Sequence, residues 1–321
     1  MASVTLGRRS SFGAPRSSGE AAVTPIFLGD AEVGTIEGLG DPTLWSLLGQ
    51  WHMTMGGGND AGDGVDLYDA TLTAGVQLDA PASSWTISTT KISPARSGYN
   101  AFGIETPSFV IGGGNVIRQY YTAVEGTGTP GTDAFAMSYL QLNGANWEDH
   151  GEAVLTGAES WELNNSVSFV SECNVLWDNG KYHAFYTAGS SLITGYANSA
   201  DGNTWGNKVQ VFPSANFTWS PHVYKVGKHY EMIIATVSVG SKTTGLYRLR
   251  SKTIEGGGHW VDSHQIYRLG QHRYSALWAY GATTGRLPNG NIAVYFTGRD
   301  NAGGAGKPNI LRIIIAPMKD F

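Results

Sequence analysis

Short runs of aromatic and β-branched residues follow one another along most of the chain, and Gly, Asn, Asp and Ser separate these runs. No long stretch keeps apolar residues at the 3.6-residue period of a helix. Short apolar runs bounded by turn-forming residues are typical of β-strands. The pattern therefore predicts an almost entirely β protein.

The strand pattern repeats five times. In each unit a lead strand is followed by a turn and an aromatic strand, and the aromatic strands cover residues 51–55, 119–123, 181–188, 228–235 and 292–298. Four units continue to a segment that ends on a Trp, and these residues, spaced by 62, 58 and 55 positions, are Trp85, Trp147, Trp205 and Trp260. Repeats of this length indicate propellers or arrays.

Four short strands per repeat predict an all-β fold, a five-bladed β-propeller of four-stranded antiparallel blades. The alternative is an irregular β-sandwich or jelly roll in which the Trp spacing is coincidental. Residues 22–28 and 310–317 both have strand-like sequences, so we expect one of them to complete the last blade. We predict a polar N-terminal arm at residues 1–20, a single propeller domain at residues 21–321, and a core position for the four repeated Trp residues.

Composition excludes several classes of partner. The 321 residues carry a net charge of −5, and charged residues make up 15%, so no basic field for nucleic acid or an anionic membrane is expected. No apolar run is long enough for a membrane-spanning helix, and residues 1–20 lack the apolar region of a signal peptide. We expect a soluble protein, cytoplasmic or secreted with its signal already removed. The single Cys173 allows no internal disulfide, and the oligomeric state is left open.

The starts of the lead strands are the best candidates for a functional site. Lead strands of a propeller run at the centre of the ring, so their first residues converge on one axial pocket. Three of the five starts carry a carboxylate, namely Asp41, Glu105 and Glu172. An acid that faces a crowded axis loses hydration and needs a partner or a ligand to offset that loss.

Several segments resemble motifs of the five-bladed β-propeller glycoside hydrolases. These are family 43, the arabinanases, xylosidases and arabinofuranosidases, and family 32, the invertase-like fructosidases. GDPTL at residues 40–44 with GQWH at 49–52 is similar to the first-blade A-D-P and G-K-Y-Y pattern, and SEC at 171–173 looks like the E-C motif of the invertase-like branch. WSPHVYK at 219–225 and GYANSADG at 195–202 look like the fourth-blade pattern and the G-x-A-x-S-x-D-G turn of family 43.

The resemblance implies roles and also shows departures. It implies that Asp41 is the base or nucleophile and that Glu172 is the general acid. Trp219 stands where family 43 carries its acid Glu, and Glu105 lies one position before the Asp of the invertase-like R-D-P motif. The fifth-blade Gly-His, whose His often approaches an axial calcium, is replaced by Gly281 followed by Ala, so a structural calcium has no support here. We therefore expect the chain to be a divergent relative of these families.

The residues themselves are consistent with these roles. Glycoside hydrolysis needs one deprotonated and one protonated carboxyl group across the scissile bond. Asp has the lower intrinsic pKa, whereas the apolar neighbours Val170 and Val175 should raise the pKa of Glu172 and keep its proton. Glu105 would then hold sugar hydroxyls or tune the acid. The alternative for each carboxylate is a turn cap or a partner for an Arg.

Other residues are candidates for contacts with a sugar. Aromatic rings form platforms for the C–H faces of sugars. The aromatic candidates are Trp45, Trp51, Trp219, Trp278 and Tyr280, and the polar ones are Asn174, His222 and Arg299. Interblade packing is the alternative for the aromatic residues, and a hydrogen-bonded inner-strand position is the alternative for His222. No His spacing typical of a transition-metal site and no nucleotide-binding loop is present, so neither a metal nor another cofactor is predicted.

These observations predict a glycosidase, or a transglycosidase, that acts on a furanoside-type or related bond of an oligo- or polysaccharide. A non-catalytic propeller that binds carbohydrate or protein through the same face is the main alternative. A propeller recruited to lyase or cyclase chemistry is another. Fold alone does not distinguish these functions.

Overall fold

The computed structural model describes residues 21–27, 36–59, 64–93, 95–212, 218–238, 242–299 and 308–318. The predicted polar arm at residues 1–20 lies outside these ranges. The helices in the described ranges are single 3-10 turns: Ala82–Ser84, Gly98–Asn100, Gly113–Asn115, Ser160–Glu162, Glu255–Gly257 and Arg273–Ser275. None of them is long and apolar enough to cross a membrane.

The strands form five antiparallel four-stranded sheets and one short hairpin. The chain begins with β1 (Thr24–Phe27), and blade 1 contains β2 (Ile36–Leu47), β3 (Gln50–Asn59), β4 (Val65–Leu72) and β5 (Trp85–Lys91). Blade 2 contains β6 (Gly103–Ile111), β7 (Ile117–Val124), β8 (Phe135–Asn143) and β9 (Asn146–Asp149). The hairpin of β10 (Leu163–Asn164) and β11 (Val167–Ser168) precedes blade 3, which contains β12 (Val170–Asp178), β13 (Lys181–Ala188), β14 (Ile193–Ser199) and β15 (Gly206–Gln210). Blade 4 contains β16 (Thr218–Val226), β17 (His229–Ser238), β18 (Lys242–Ser251) and β19 (Val261–Arg268), and blade 5 contains β20 (Trp278–Arg286), β21 (Ile292–Arg299), β22 (Pro308–Ile315) and β1.

The two ends of the chain close the ring. Strand β1 pairs antiparallel with β22, with Thr24 opposite Arg312, so the N-terminal strand is the outermost strand of blade 5. Each lead strand contacts the next one, and β20 contacts β2. The predicted five-bladed β-propeller is confirmed, and both predicted terminal strands, rather than one of them, belong to the last blade.

The repeated Trp residues pack between blades, as predicted. Each one lies at or next to the outermost strand of its blade and meets an aromatic residue of the preceding blade nearly edge-on. The ring centroids are separated by 6.0 Å for Trp85 and Tyr295, 6.2 Å for Trp147 and Trp45, 5.9 Å for Trp205 and Tyr120, and 5.9 Å for Trp260 and Phe185. Edge-to-face pairs at such distances are favourable beyond their buried area. The sequence repeat therefore reflects one type of interblade contact that occurs in four blades.

Every lead strand contains a β-bulge at the same place. The register with the second strand shifts there, and one residue adopts a positive φ: Asp41 (51°), Thr106 (49°), Glu172 (52°), Ser220 (56°) and Gly281 (59°). A bulge bends the strand and redirects a side chain. Asp41 and Glu172 thus occupy equivalent bulge positions of blades 1 and 3.

Candidate active site

Threonines of the second strands hold three of the five bulges. The amide of the bulge residue donates to a Thr hydroxyl of the preceding blade: Asp41 N to Thr297 Oγ1 (2.6 Å), Glu172 N to Thr122 Oγ1 (2.9 Å) and Ser220 N to Thr187 Oγ1 (2.9 Å). Sequence reasoning missed these threonines. Their signal is an aromatic-Thr-small triplet in the aromatic strands, YTA at residues 121–123, YTA at 186–188 and FTG at 296–298.

A second set of hydrogen bonds joins neighbouring lead strands next to the bulges. In each blade the residue two positions after the bulge bonds to the lead strand of the following blade. The five bonds are Phe109 N to Thr43 Oγ1 (3.5 Å), Val175 N to Ser108 Oγ (2.8 Å), Val223 N to Asn174 Oδ1 (2.7 Å), Leu44 N to Thr283 Oγ1 (3.1 Å), and His222 Nε2 with Thr284 Oγ1 (3.0 Å). Asn174 and His222, predicted as substrate contacts, are therefore engaged in joining the blades.

The hydrogen bonds of His222 indicate which of its two ring nitrogens carries the proton. Because Asn174 Oδ1 accepts from Val223 N, the Asn174 amide nitrogen is the group that meets His222 Nδ1, at 3.3 Å. Nδ1 is then an acceptor, and Nε2–H donates to Thr284. Burial lowers the pKa of His222 to about 4, so the ring is neutral at physiological pH.

Loss of the Asn174 amide should destabilise the propeller. Asn174→Ala leaves the Val223 amide without its acceptor and the His222 ring without its donor. Unsatisfied buried groups cost roughly 1–3 kcal/mol each, so we expect the free energy of unfolding in urea to fall by about 2 kcal/mol. The matched control is Asn146→Ala, at an exposed position. Equal stability of the two variants would contradict the proposed role of the ring of bonds.

A pocket opens on the side of the bulges where the lead strands begin. Its volume is about 290 Å³, and its lining residues are Asp41, Glu105, Thr106, Glu172, Trp219, Trp278, Tyr280 and Arg299. All of these except Thr106 are among the predicted site residues. Thr106 was missed because its hydroxyl carries no charge, although it occupies the same bulge position as Asp41.

Trp45 and Trp51 do not line this pocket. The Trp45 ring stacks between His52 (4.0 Å) and Phe109 (4.7 Å), and its Nε1 donates to Thr54 Oγ1 at 3.0 Å. Trp51 packs against the hydrophobic cluster of blade 1. Trp45 lies four residues beyond Asp41, about 13 Å along an extended strand, which carries it to the far end of the blade.

Aromatic rings of blades 4 and 5 form one wall of the pocket. Trp219 stacks on Tyr280 with a centroid distance of 4.6 Å and an interplanar angle of 10°, and it meets Trp278 edge-on at 5.3 Å. The Arg299 guanidinium lies 5.9 Å from the centre of the Tyr280 ring. Trp219 therefore replaces the expected acid with an apolar surface, and the cavity of about 290 Å³ remains beside it.

The carboxyl groups of blades 1 and 2 have raised pKa values. Burial raises the pKa of Asp41 to about 6, while the charge of Arg299 and a hydrogen bond from Thr297 limit the rise. Burial and the charge of Asp41 raise the pKa of Glu105 to about 7, again against the effect of Arg299. Asp41 therefore loses its proton at a lower pH than Glu105.

Glu172 is the most strongly perturbed of the three acids. Its side chain is buried, with the residue 8% exposed. Burial, followed by the charge of Asp41, raises the pKa of Glu172 well above its usual value, although hydrogen bonds from Thr187 and Ser220 oppose the shift. Glu172 thus keeps its proton under conditions in which Asp41 has lost its own.

Gly281 makes room for the Asp41 carboxylate. A β-carbon on Gly281 would lie 2.4 Å from Asp41 Oδ1 and 3.2 Å from Asp41 Cα. Oδ1 is buried and has no hydrogen-bond donor within the described part of the chain. The orientation of Asp41 therefore depends on the absence of a side chain in blade 5.

A cavity of about 30 Å³, enough for a water molecule, lies between the bulges and the ring of interblade bonds. Asn174 and His222 line it, but both already bond neighbouring blades. Across the ranges that the structure describes, no three His, Cys, Asp or Glu side chains are close enough together to hold a metal ion.

Solved structures of glycoside hydrolases share this fold. One described as a glycoside hydrolase has 17% sequence identity and a TM-score of 0.70, with 93% of each chain covered. The catalytic domain of a GH62 α-L-arabinofuranosidase from Coprinopsis cinerea has 12% identity and a TM-score of 0.67, covering 92% of this chain and 97% of that one. Zg3597, a family 117 glycoside hydrolase from Zobellia galactanivorans, has 15% identity and a TM-score of 0.66, covering 94% of this chain and 92% of that one.

At these identities the likeness establishes a shared five-bladed propeller fold. No protein-family model matches the chain, and a search of curated protein sequences finds no match. The function therefore has to be inferred from the residues of the pocket itself.

Proposed function

We propose that the protein is a glycoside hydrolase in which Asp41 is the base or nucleophile and Glu172 is the general acid. The observation that carries this proposal is the pair of carboxyl groups at equivalent bulges of blades 1 and 3, both lining one pocket. Their pKa values are raised to different extents, to about 6 for Asp41 and well above the usual value for Glu172. Two carboxyl groups with separated pKa values match the acid and base of a glycosidase.

The proposed reaction uses the two groups in sequence. Glu172 gives its proton to the oxygen of the leaving group as the glycosidic bond breaks. Asp41 either attacks the anomeric carbon, forming a glycosyl-enzyme that water later hydrolyses, or removes a proton from the attacking water. Glu105 is close enough for its charge to raise the pKa of Glu172, and it is available to accept bonds from sugar hydroxyls.

The shape of the pocket supports a small terminal sugar as the bound group. Its volume of about 290 Å³ is at the lower end of small-molecule sites, roughly 300–1,000 Å³. Trp219 and Trp278 supply apolar surface suited to the C–H face of a sugar ring. Three structural neighbours are named α-L-arabinofuranosidases, which makes furanosides the first substrates to test.

The test is a screen of the purified protein against aryl furanosides, aryl pyranosides, arabinans and fructans. We expect release of sugar from at least one of them, and proton NMR of the first-formed anomer identifies retention or inversion. Binding of these sugars with no hydrolysis of any of them would refute the proposal in favour of a non-catalytic binding propeller. An unsaturated product would refute it in favour of a lyase.

A further inference from the structure

Two hydroxyl groups lie beside the Glu172 carboxyl on different blades. Thr187 Oγ1, on the second strand of blade 3, donates to Glu172 Oε2 at 3.0 Å. Ser220, at the bulge of blade 4, lines the same small axial cavity as Glu172 and is one of the groups that oppose the rise in the pKa of this carboxyl. All three residues are buried.

Backbone amides orient both hydroxyls towards the carboxyl. Thr187 Oγ1 accepts from Ser220 N at 2.9 Å, and Ser220 Oγ accepts from Gly281 N at 2.9 Å. Each oxygen accepts one N–H through a lone pair, which leaves its own hydrogen free to be donated to Glu172. Hydrogen bonds that run in one direction strengthen one another.

The fold accepts residues without a hydroxyl at these positions. The residue equivalent to Thr187 in the second strand, opposite the residue before the bulge, is Thr122 in blade 2 and Thr297 in blade 5, but Gly56 in blade 1 and Ala235 in blade 4. The position equivalent to Ser220 in blade 5 is Gly281, which has no side chain. Some blades therefore fold without these hydroxyls, whereas blades 3 and 4 place theirs next to the Glu172 carboxyl.

We propose that Thr187 and Ser220 are positioning residues that fix the orientation of the Glu172 carboxyl and set the pH at which it releases its proton. The catalytic meaning of this arrangement rests on the proposed function, in which Glu172 is the acid. With Oε2 accepting from Thr187, the proton of the acid is held on Oε1. When that proton leaves, Thr187 already donates to the new carboxylate and Ser220 lies beside it, so little rearrangement is needed to stabilise the charge.

The two hydroxyls favour the ionised form of Glu172, whereas the other groups around it do not. Asp41 and Glu105 face it from blades 1 and 2 and disfavour its ionised form, as does burial. Tyr280 of blade 5 and the adjacent Cys173 are also close enough to interact with its charge. Both have raised pKa values and stay neutral, so the two hydroxyls are the groups that favour the carboxylate.

The decisive experiment removes each hydroxyl in the full chain, as Thr187→Val and Ser220→Ala. Glu172 is titrated by NMR with carboxyl-labelled Glu, and its resonance is assigned by its absence in Glu172→Gln. We expect each variant to raise the pKa of Glu172 by about one unit. If Glu172 is the acid, its protonated form is active, so the alkaline limb of kcat/KM moves to higher pH by the same amount.

Conservative variants and a matched control separate the positioning role of the two hydroxyls from a general disturbance of the fold. Thr187→Ser and Ser220→Thr keep the hydroxyl and should restore the wild-type titration, since Thr106 shows that Thr fits an equivalent bulge with φ 49°. Ser108→Ala removes a buried hydroxyl that accepts Val175 N at 2.8 Å, and it should leave Glu172 unchanged. An unshifted Glu172 in both test variants, or the same shift in Ser108→Ala, would overturn the proposal. A shifted titration in a protein that hydrolyses no glycoside would support the positioning role and refute the proposed function.

Discussion

Replacing Asp41 with Asn is expected to lower kcat/KM by about 10³-fold or more on every hydrolysed substrate, whereas Glu172→Gln should depend on the leaving group. Loss of the base or nucleophile removes a group that every substrate needs. Loss of the acid matters little when the leaving group departs without a proton. The measurement is kcat/KM for dinitrophenyl and phenyl glycosides of the same sugar: the Gln variant should lose much less activity on the first than on the second.

The control is Glu125→Gln, which changes an exposed carboxylate outside the pocket lining. Its kinetics should match those of the wild type. Equal activity of Asp41→Asn and wild type would remove Asp41 from the mechanism. A uniform loss for Glu172→Gln across both leaving groups would exclude its role as the acid.

The overall fold could be predicted because one physical contact recurs in the sequence. A Trp next to the outermost strand packs on an aromatic residue of the preceding blade, and this contact requires an aromatic residue at a constant spacing. The strand-like ends were likewise visible as apolar runs. The sequence did not reveal that the N-terminal strand is the outer one, because that depends on how the ring closes.

The pocket could be predicted in outline but not the orientation of each side chain. Asn174 lies two positions after the predicted catalytic Glu172, and His222 lies near the start of a predicted lead strand. Polar residues at such places are expected to contact substrate. The bulge, however, turns the residue two positions later towards the next blade, where it bonds a lead strand. A positive φ at Glu172 or Ser220 is not recognisable from the residue type, since neither is Gly or Asn.

The same bulge explains why residues that depart from the family motifs still line the pocket. Glu105, Trp219 and Tyr280 each directly precede a bulge residue and line the pocket. Asp41 and Glu172 are bulge residues and line it too. A carboxylate one position early, as at Glu105, therefore still reaches the pocket. Motif spacing alone does not show that both the bulge residue and the residue before it reach the pocket.

Gly281→Ala should reduce both activity and stability. The backbone conformation at φ 59° is close to that of Asp41, Thr106, Glu172 and Ser220, which all carry side chains, so the backbone strain of the Ala variant should cost roughly 1–2 kcal/mol. The new β-carbon would lie 2.4 Å from Asp41 Oδ1, which must rotate away. A displacement of about 1 Å in a catalytic group can cost about 10²-fold, and we expect kcat to fall by that order. Steady-state kinetics and urea unfolding measure the two effects.

A double-mutant cycle with Asp41→Ala identifies the cause of that loss. Asp41→Ala removes the Oδ1 atom against which the new β-carbon is pressed, so adding Gly281→Ala to it should cost less stability than adding it to the wild type. The difference between the two costs is the repulsion between the β-carbon and the carboxylate, separated from backbone strain. If the two costs are equal and Gly281→Ala keeps full kcat, then Gly281 does not orient Asp41. A coupling together with a loss of kcat would mean that the missing side chain of Gly281 in blade 5 sets the direction of the Asp41 carboxylate in blade 1.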